Sequence, residues 1–205
     1  DELSLEVFAF FTSMRALAGD EVRPFDAGRR GTMPGEGAAV LVLERAERVA
    51  ARGRQPLARV LATASAADAH NQTQPHPDGT GLIATIQTCL DRARVEPDDV
   101  DWVCAHGTGT PANDAVEARA VAALFPESLH ASSTKGWTGH TLGAAGIVES
   151  VFALVALEDG LLPGTLNSEA RDQACGAQVR FDNDTHDIRY AMNNSFGFGG
   201  HNVTL

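Results

Sequence analysis

The chain has 205 residues, of which 43% are hydrophobic and 21% charged, so a disordered chain is excluded and a packed core is expected. Its 16 Lys and Arg against 27 Asp and Glu give a net charge of −11, which argues against a nucleic-acid-binding surface. No apolar run reaches the roughly 20 residues needed to cross a bilayer, so no membrane span is predicted. The three cysteines form no CxxC pair, which argues against a zinc site or a disulfide framework and favours a reducing, cytoplasmic location.

Helical and strand patterns alternate along the chain. In chain order we predict a helix over 3–18, a strand over 38–43, a helix over 44–52, a strand over 57–66, a helix over 80–94, a strand over 100–105, a helix over 111–124, a strand over 129–133, a helix over 140–158, and a closing strand pair over 188–193 and 202–205. The strand over 38–43 is short, apolar and preceded by glycine, so we expect it to be buried. The helix over 140–158 is apolar on nearly all sides, so we expect it to be central. Such alternation predicts an α/β layered fold.

Three polar, glycine-rich segments each follow a predicted strand, where α/β folds usually build their sites. They cover residues 106–110 (HGTGT), 132–140 (SSTKGWTGH) and 194–200 (NSFGFGG). Each segment alone is consistent with a simple turn in which glycine supplies a positive φ. Two histidines, a lysine and a glycine-rich hairpin at successive strand ends favour an active site instead.

Ser132 and Lys135 also satisfy the SxxK pattern of serine β-lactamases and penicillin-binding proteins. The partner motifs SDN and KTG are absent, and a four-residue pattern is a weak signal without them. The patterns GxSxG, HExxH and a complete GxGxxG are also absent, which argues against lipases, zincins and simple dinucleotide binders.

Six motifs in fixed order resemble the β-ketoacyl-(acyl-carrier-protein) synthases, the elongating condensing enzymes of the thiolase-like superfamily. The motifs lie at 23–26 (RPFD), 35–44 (GEGAAVLVLE), 106–110 (HGTGT), 133–135 (STK), 139–146 (GHTLGAAG) and 194–200 (NSFGFGG). The resemblance covers essentially the whole chain and matches the C-terminal half of these enzymes. It implies a layered αβαβα fold, with residues 1–55 forming the tail of the N-terminal half and residues 56–205 the whole C-terminal half.

The resemblance implies a decarboxylative Claisen condensation of malonyl-carrier protein with an acyl-cysteine thioester. The product is a 3-oxoacyl-carrier protein in fatty acid or polyketide synthesis. None of Cys89, Cys104 and Cys175 lies in the context of the family's nucleophile, so we expect the nucleophilic cysteine outside this chain. No cofactor or metal is expected, since the substrates are carried on phosphopantetheine.

The resemblance also assigns the catalytic residues. His106 and His140 match the two histidines whose N–H groups stabilise the enolate oxygen. Lys135 matches the family lysine, and Glu117 matches its carboxylate partner. His140 is expected to begin the helix over 140–158, so that the helix dipole adds a positive field.

Further matching residues are expected to bind substrate. Phe198 matches the family's gatekeeping phenylalanine, whose backbone N–H completes the oxyanion hole, and Gly199 allows close approach of the backbone. Thr108 and Thr110 match residues that bind the pantetheine arm.

The expected partners are acyl carrier protein and the N-terminal ketosynthase half, with assembly as a homodimer or as a heterodimer of ketosynthase and chain-length factor. A non-catalytic subunit of the chain-length-factor type is the alternative function. Such subunits usually lose the histidine constellation, so its presence here favours the enzyme.

Overall fold

The computed structural model describes residues 1–205 and shows a mixed α/β fold with one main sheet. The helices are α1 (Leu5–Ser13), α2 (Ala46–Ala51), α3 (Thr80–Ala93), α4 (Pro111–Leu124), α5 (Lys135–Thr138) and α6 (Ala145–Asp159). The strands are β1 (Ala64–Ala67), β2 (Trp102–Cys104), β3 (His130–Ser132), β4 (Leu161–Leu162), β5 (Asp184–Thr185), β6 (Ala191–Gly197) and β7 (His201–Thr204). Two short 3-10 turns cover Pro97–Asp99 and Leu142–Ala144.

The main sheet has the strand order β1-β7-β6-β2-β3. Strand β2 runs parallel to β3 and β6, whereas β7 pairs antiparallel with both β6 and β1. Strands β4 and β5 form a separate antiparallel pair. The antiparallel β6–β7 pair confirms the predicted closing strands, although both begin and end at different residues from those predicted.

Alternate side chains of the buried strand β2 enter two different cores, as strand geometry requires. Val103 packs with apolar residues of α3 and α4 on one face of the sheet. Trp102 and Cys104 pack with Ala156 of α6 and with Leu162 on the other face. Helices therefore cover both faces of the parallel strands, and the carboxyl ends of β2 and β3 lead into the turns at 106–110 and 133–140.

Helices α3 and α4 confirm the prediction almost residue for residue. Helix α4 begins at Pro111, whose fixed φ suits the first helical position. Helix α3 ends at Ala93 because Arg94 turns into the left-handed region, with a φ of 56°. Helix α2 also lies inside its predicted range, and Gly53 follows it with a φ of 62°.

Helix α1 is shorter than the predicted range of 3–18. The Ser4 side chain caps its N-terminus by accepting from the Val7 N–H at 3.4 Å. Beyond Ser13 the chain turns at Arg15, which has a φ of 53°, and Leu17 then pairs with Thr32. The C-terminal part of the apolar pattern thus belongs to a β-bridge rather than to the helix.

The predicted buried strand over 38–43 is wrong for this chain. Residues 38–43 form no strand, and Val40 and Val42 are 87% and 88% exposed. The predicted strand over 57–66 is reduced to β1, and Leu57 also lies open to solvent. An apolar run becomes a strand only where another strand pairs with it, and nothing within this chain pairs with 38–43.

The predicted helix over 140–158 is wrong at its start. The chain instead forms the short helix α5, reaches Gly139 with a φ of 68°, and passes through the turn at Leu142–Ala144 before α6 begins at Ala145. Tertiary contacts hold this arrangement, since the His140 N–H donates to the Met33 carbonyl at 2.7 Å. His140 therefore lies five residues before α6 rather than at its first turn. Helix α6 is also only partly buried, so its apolar surface is not covered on all sides.

No helix is both long enough and apolar enough to span a membrane.

Candidate active site

The structure brings the two predicted histidines together. The ring centroids of His106 and His140 lie 5.2 Å apart, and the two rings are nearly perpendicular at 82°. Phe196 of β6 lies 6.1 Å from the His106 ring. The turns after β2 and β3 and the strand β6 therefore meet at one point, as expected for strand ends in an α/β sheet.

The backbone fixes the tautomer of His140. Its Nδ1 accepts a hydrogen bond from the Leu142 N–H at 3.2 Å, so in the neutral ring the proton resides on Nε2. The main chain of His140 is held on both sides, because its N–H donates to Met33 and its carbonyl accepts from Gly35. His140 thus presents a rigidly held N–H donor.

His106 is buried, and its main chain is fixed by Glu117. The two carboxylate oxygens of Glu117 accept from the N–H groups of His106 and Gly107, each at 2.7 Å. The Nδ1 atom of His106 is buried and has no hydrogen-bond partner. A buried nitrogen without a partner is costly, so this ring is suited to a ligand that completes its hydrogen bonds.

Lys135 is fully buried, but its partner is not the predicted one. The Nζ atom pairs with Glu149 of α6, and Glu117 makes no ion pair with Lys135. The expectation of a Lys135–Glu117 pair is therefore wrong. Glu117 instead accepts hydrogen bonds from two backbone N–H groups that would otherwise be buried without partners. The carboxylate that pairs with Lys135 is therefore supplied by α6.

The Ser133 hydroxyl connects the turn that carries His106 with the segment that leads to His140. Ser133 Oγ donates to the Gly107 carbonyl at 2.7 Å and accepts from the Lys135 N–H at 3.3 Å. A Cβ added at Gly107 would lie 2.4 Å from the Ser133 Cβ, so only glycine fits at this crossing. The relative placement of His106 and His140 is thus built into the backbone.

Burial and the nearby lysine keep both imidazoles neutral. Burial lowers the pKa of His140 to about 3, and the Lys135 ammonium lowers it in the same direction. The same two causes, followed by the neighbouring His140, hold the pKa of His106 well below its usual range. Each ring is therefore an uncharged N–H donor at neutral pH.

This neutrality predicts a pH dependence of stability. The unfolded chain takes up a proton at His140 near its usual pKa of about 6.5, whereas the native site does not. Because the unfolded state then binds more protons, the free energy of unfolding falls as the pH is lowered. Relative to a His140→Asn variant, we expect a loss of about 1.4 kcal/mol per pH unit between about pH 6 and pH 4. Urea unfolding of both proteins across this range measures the difference, and a constant difference would contradict the neutral-imidazole assignment.

The predicted pantetheine-binding threonines lie on the turn before α4. Thr108 Oγ1 and Thr110 Oγ1 are 2.9 Å apart, so one hydroxyl bonds the other. Asp114 of α4 holds this end of the turn, accepting from the Gly109 N–H at 3.2 Å. The two hydroxyls lie on the same turn as His106, which is consistent with their expected role.

Phe198 and Gly199 lie at the tip of the β6–β7 hairpin. Phe198 is 46% exposed, and its ring lies 6.5 and 6.2 Å from the rings of Phe10 and Phe11 in α1. Gly199 has a φ of 83°, and its N–H donates to the Gln72 carbonyl at 2.7 Å. The phenylalanine thus packs against α1, whereas the aromatic residue of this hairpin that lies near His106 is Phe196, and Gly199 provides the turn.

None of the three cysteines is suited to be the nucleophile. All are buried, and Cys104 is the last residue of β2. Burial raises the pKa of Cys104 well above its usual range and that of Cys175 to about 12, and it also raises the pKa of Cys89. A thiolate nucleophile needs a lowered pKa, so none of these thiols suits acyl transfer. No three His, Cys, Asp or Glu side chains are arranged to hold a metal ion.

Sequence reasoning missed two carboxylates of the site. Glu149 is the partner of Lys135, and the signal that could have found it is that it is the only charged residue in the segment 145–157. Asp114 holds Gly109 and Phe25, and no residue pattern in the chain predicts that contact.

Comparison with known proteins identifies the family of this chain. Residues 57–169 match the family described as beta-ketoacyl synthase, C-terminal domain, and residues 2–49 match the beta-ketoacyl synthase, N-terminal domain. The chain belongs to the β-ketoacyl synthase family. The predicted family resemblance is therefore confirmed, as is the α/β fold class.

Three β-ketoacyl synthase relatives illustrate the match. The 3-oxoacyl-[acyl-carrier-protein] synthase 2 of Staphylococcus aureus is 40% identical, covering 96% of this chain and 51% of its own length. A structure titled the ishigamide ketosynthase/chain length factor superposes with a TM-score of 0.95 at 37% identity, covering 100% of this chain and 51% of that one. A second structure, described as a type II PKS acyl-carrier protein in complex with its ketosynthase bound to the hexaketide (AntDE:AntF), gives a TM-score of 0.92 at 28% identity, over 98% and 52% of the two chains. The chain spans about half the length of the relatives it matches.

Proposed function

We propose that this chain forms the C-terminal half of a condensing β-ketoacyl-acyl-carrier-protein synthase. The observation that carries the proposal is the pair of buried, neutral imidazoles whose ring centroids lie 5.2 Å apart. His140 Nε2 is a fixed N–H donor, and His106 has a buried nitrogen without a partner. Two such donors can stabilise one developing oxyanion.

The proposed reaction has two stages. A cysteine thiolate first attacks the acyl thioester of carrier protein, which releases the carrier thiol and leaves an acyl-cysteine. The malonyl thioester then loses carbon dioxide, and the electron pair of the broken C–C bond forms an enolate. The enolate carbon attacks the acyl-cysteine carbonyl, the cysteine thiolate leaves, and a 3-oxoacyl-carrier protein results.

The histidines contribute to the second stage in this scheme. Decarboxylation places negative charge on the thioester oxygen, and preorganised donors in a site with little water stabilise that charge strongly. Lys135 donates to Glu149 and acts on the histidines through its charge. Burial, and after it the positive field of Lys135, keeps the pKa values of His106 and His140 low, so that neither ring is protonated and traps the substrate carboxylate as an ion pair.

The cysteine nucleophile comes from an N-terminal half, of which residues 1–55 form the tail. Two uncovered apolar features support this assignment. Val40 and Val42 are exposed along an extended segment, and Val155 of α6 is also open to solvent. Gly37 lies against Val148 of α6, so the segment and the helix form one continuous surface. A second α/β unit that pairs with 38–43 and packs on α6 would cover both features.

Acyl carrier protein is the proposed partner, and its phosphopantetheine carries both substrates to the turn with Thr108 and Thr110. No further cofactor takes part in this scheme. A chain-length-factor role is the second candidate, since one structural relative is titled a ketosynthase/chain length factor. The intact pair His106 and His140 favours the catalytic role.

Mass spectrometry of the full-length protein tests the proposal. After incubation with an acyl thioester and malonyl-acyl-carrier protein, we expect carbon dioxide release, a 3-oxoacyl product and an acyl adduct on a peptide outside residues 1–205. The isolated chain should form neither product nor adduct. An adduct on Cys89, Cys104 or Cys175 would overturn the assignment of the nucleophile, and a full-length protein without condensation would favour the chain-length-factor role.

A further inference from the structure

Arg29 is a second buried cation, and neither histidine explains its position. Its Nη1 donates to the Asp26 carbonyl at 2.8 Å and pairs with the Asp172 carboxylate, while Nη2 donates to the Pro111 carbonyl at 3.2 Å. Its Nε lies 3.7 Å from Asp114 Oδ2 and has no hydrogen-bond partner of its own. The guanidinium therefore joins three separate segments at the start of α4.

Asp114 connects Arg29 to the turn that carries the threonines. This fully buried carboxylate accepts from the Phe25 N–H at 2.8 Å and from the Gly109 N–H at 3.2 Å. A Cβ added at Gly109 would lie 2.6 Å from the Gly31 carbonyl oxygen, so the turn rests directly on the segment that carries Arg29.

Helix α4 thus holds the preceding turn with two carboxylates one helical turn apart. Glu117 fixes the histidine end through the N–H groups of His106 and Gly107, and Asp114 fixes the other end through Gly109. The nearby cations also differ, because Lys135 acts on Glu117 and Arg29 acts on Asp114. The Asn113 side chain donates to both carboxylates, to Asp114 at 3.2 Å and to Glu117 at 3.4 Å, but the two ends of the turn bond different carboxylates and lie near different cations.

We propose that Arg29 is a positioning residue for substrate binding, acting through Asp114 to hold the Gly109 end of the turn so that Thr108 and Thr110 face the pantetheine arm. The proposal rests on the proposed ketosynthase function and deepens it. It assigns Arg29 to the binding of malonyl-carrier protein rather than to the chemical step, because the main chain of His106 is held by Glu117 and not by Asp114.

Steady-state kinetics of the full-length protein test this division. For Arg29→Met we expect the KM for malonyl-acyl-carrier protein to rise about tenfold while kcat for decarboxylation changes by less than about threefold. Arg29→Lys keeps the charge but cannot reach Asp26, Pro111 and Asp172 together, so we expect a smaller rise of the same kind. Arg23→Met is the matched control, because Arg23 lies on the same segment and pairs at the surface with Asp20 and Glu21.

A pH series separates positioning from a general loss of structure. Burial raises the pKa of Asp114 to about 6, and the Arg29 guanidinium opposes that rise. The other charged or titratable groups around this site are Glu117 on the same helix, Asp26 on the segment of Arg29, and Arg171, Asp172 and Cys175 on the loop over residues 171–175. Without Arg29 the carboxyl takes up a proton at higher pH and becomes a poorer acceptor for Gly109, so the KM of Arg29→Met should rise further between about pH 8 and pH 6. Burial raises the pKa of Glu117 to about 7, so this carboxyl titrates over the same range in every variant. In Arg29→Met/Asp114→Asn the KM should be raised, and its pH dependence should fall back to that of the wild-type protein.

The outcomes separate this inference from the proposed function. If the wild-type protein decarboxylates and both Arg29 variants keep the wild-type KM, or lose kcat as strongly as they gain KM, the positioning role is wrong. If the wild-type protein shows no decarboxylation, the ketosynthase proposal itself fails. Should Arg29→Met not fold, Arg29→Lys and Asp172→Asn carry the test, since the Asp172 side chain is 28% exposed and its loss leaves the other contacts of Arg29 in place.

Discussion

Replacing His140 with alanine is expected to reduce decarboxylation of malonyl-acyl-carrier protein by at least about 10²–10³-fold, while acylation of the nucleophilic cysteine persists. The reason is that His140 Nε2–H is fixed by the Leu142 contact and has no role in the first acyl transfer under the proposed scheme. Radiolabelled carbon dioxide release measures the first activity, and the mass of the acylated protein measures the second.

The matched control for this prediction is His186→Ala. His186 is an exposed histidine whose only ionic neighbour is Asp184 at 3.9 Å, and it lies outside the site. We expect it to retain both activities. Decarboxylation that survives in His140→Ala would show that the paired imidazoles are not the oxyanion donors, and loss of acylation would show that His140 also serves the first stage.

Replacing Lys135 with methionine is expected to destabilise the protein by about 3–5 kcal/mol, because the buried Glu149 then loses its only ionic partner. Glu149 Oε2 already has no hydrogen-bond partner, so this carboxylate depends on the lysine alone. Removing both charges in Lys135→Met/Glu149→Gln should recover much of the lost stability. Urea unfolding monitors all three proteins.

The surface pair Arg189–Asp99 supplies the control for the buried pair. These side chains are 63% and 50% exposed, so Arg189→Met should cost less than about 1 kcal/mol.

The variant Lys135→Met/Glu149→Gln is also expected to change the pH dependence of decarboxylation. Without the ammonium, the pKa values of His106 and His140 move upward, so the acid limb of the decarboxylation profile should shift to higher pH. An unchanged acid limb would contradict the electrostatic role of Lys135.

Residue patterns within a helix predicted its ends where neighbouring residues determine them, as in α4, but not where a distant contact does, as at the start of α6. The start of α4 was predicted because Pro111 favours the first helical position, and in the structure the helix ends at Leu124, where Phe125 adopts an extended conformation. The start of α6 was missed because the decisive contact is distant in sequence. The Met33 carbonyl holds His140 in an extended bridge, and no propensity within 135–145 reports that bond.

The site residues that lie in the six sequence motifs could be predicted, because their order and spacing match those of the family. The convergence of His106 and His140 was expected because both match the two histidines of the family motifs. The partner of Lys135 was not, because any buried carboxylate could neutralise the charge, and the choice depended on which backbone N–H groups competed for it. Glu117 bonds two of them, which leaves Glu149 for the lysine.

The exposed apolar segment over residues 40–43 has a consequence for handling this chain alone. Val40, Val42 and Leu43 present large hydrocarbon groups on a segment that pairs with no strand, and Leu57, beyond α2, is also exposed. Unpaired apolar segments of this kind promote sheet formation between molecules and aggregation. Recombinant production of the 205-residue polypeptide by itself should therefore yield inclusion bodies, and co-expression with the proposed N-terminal half should rescue solubility.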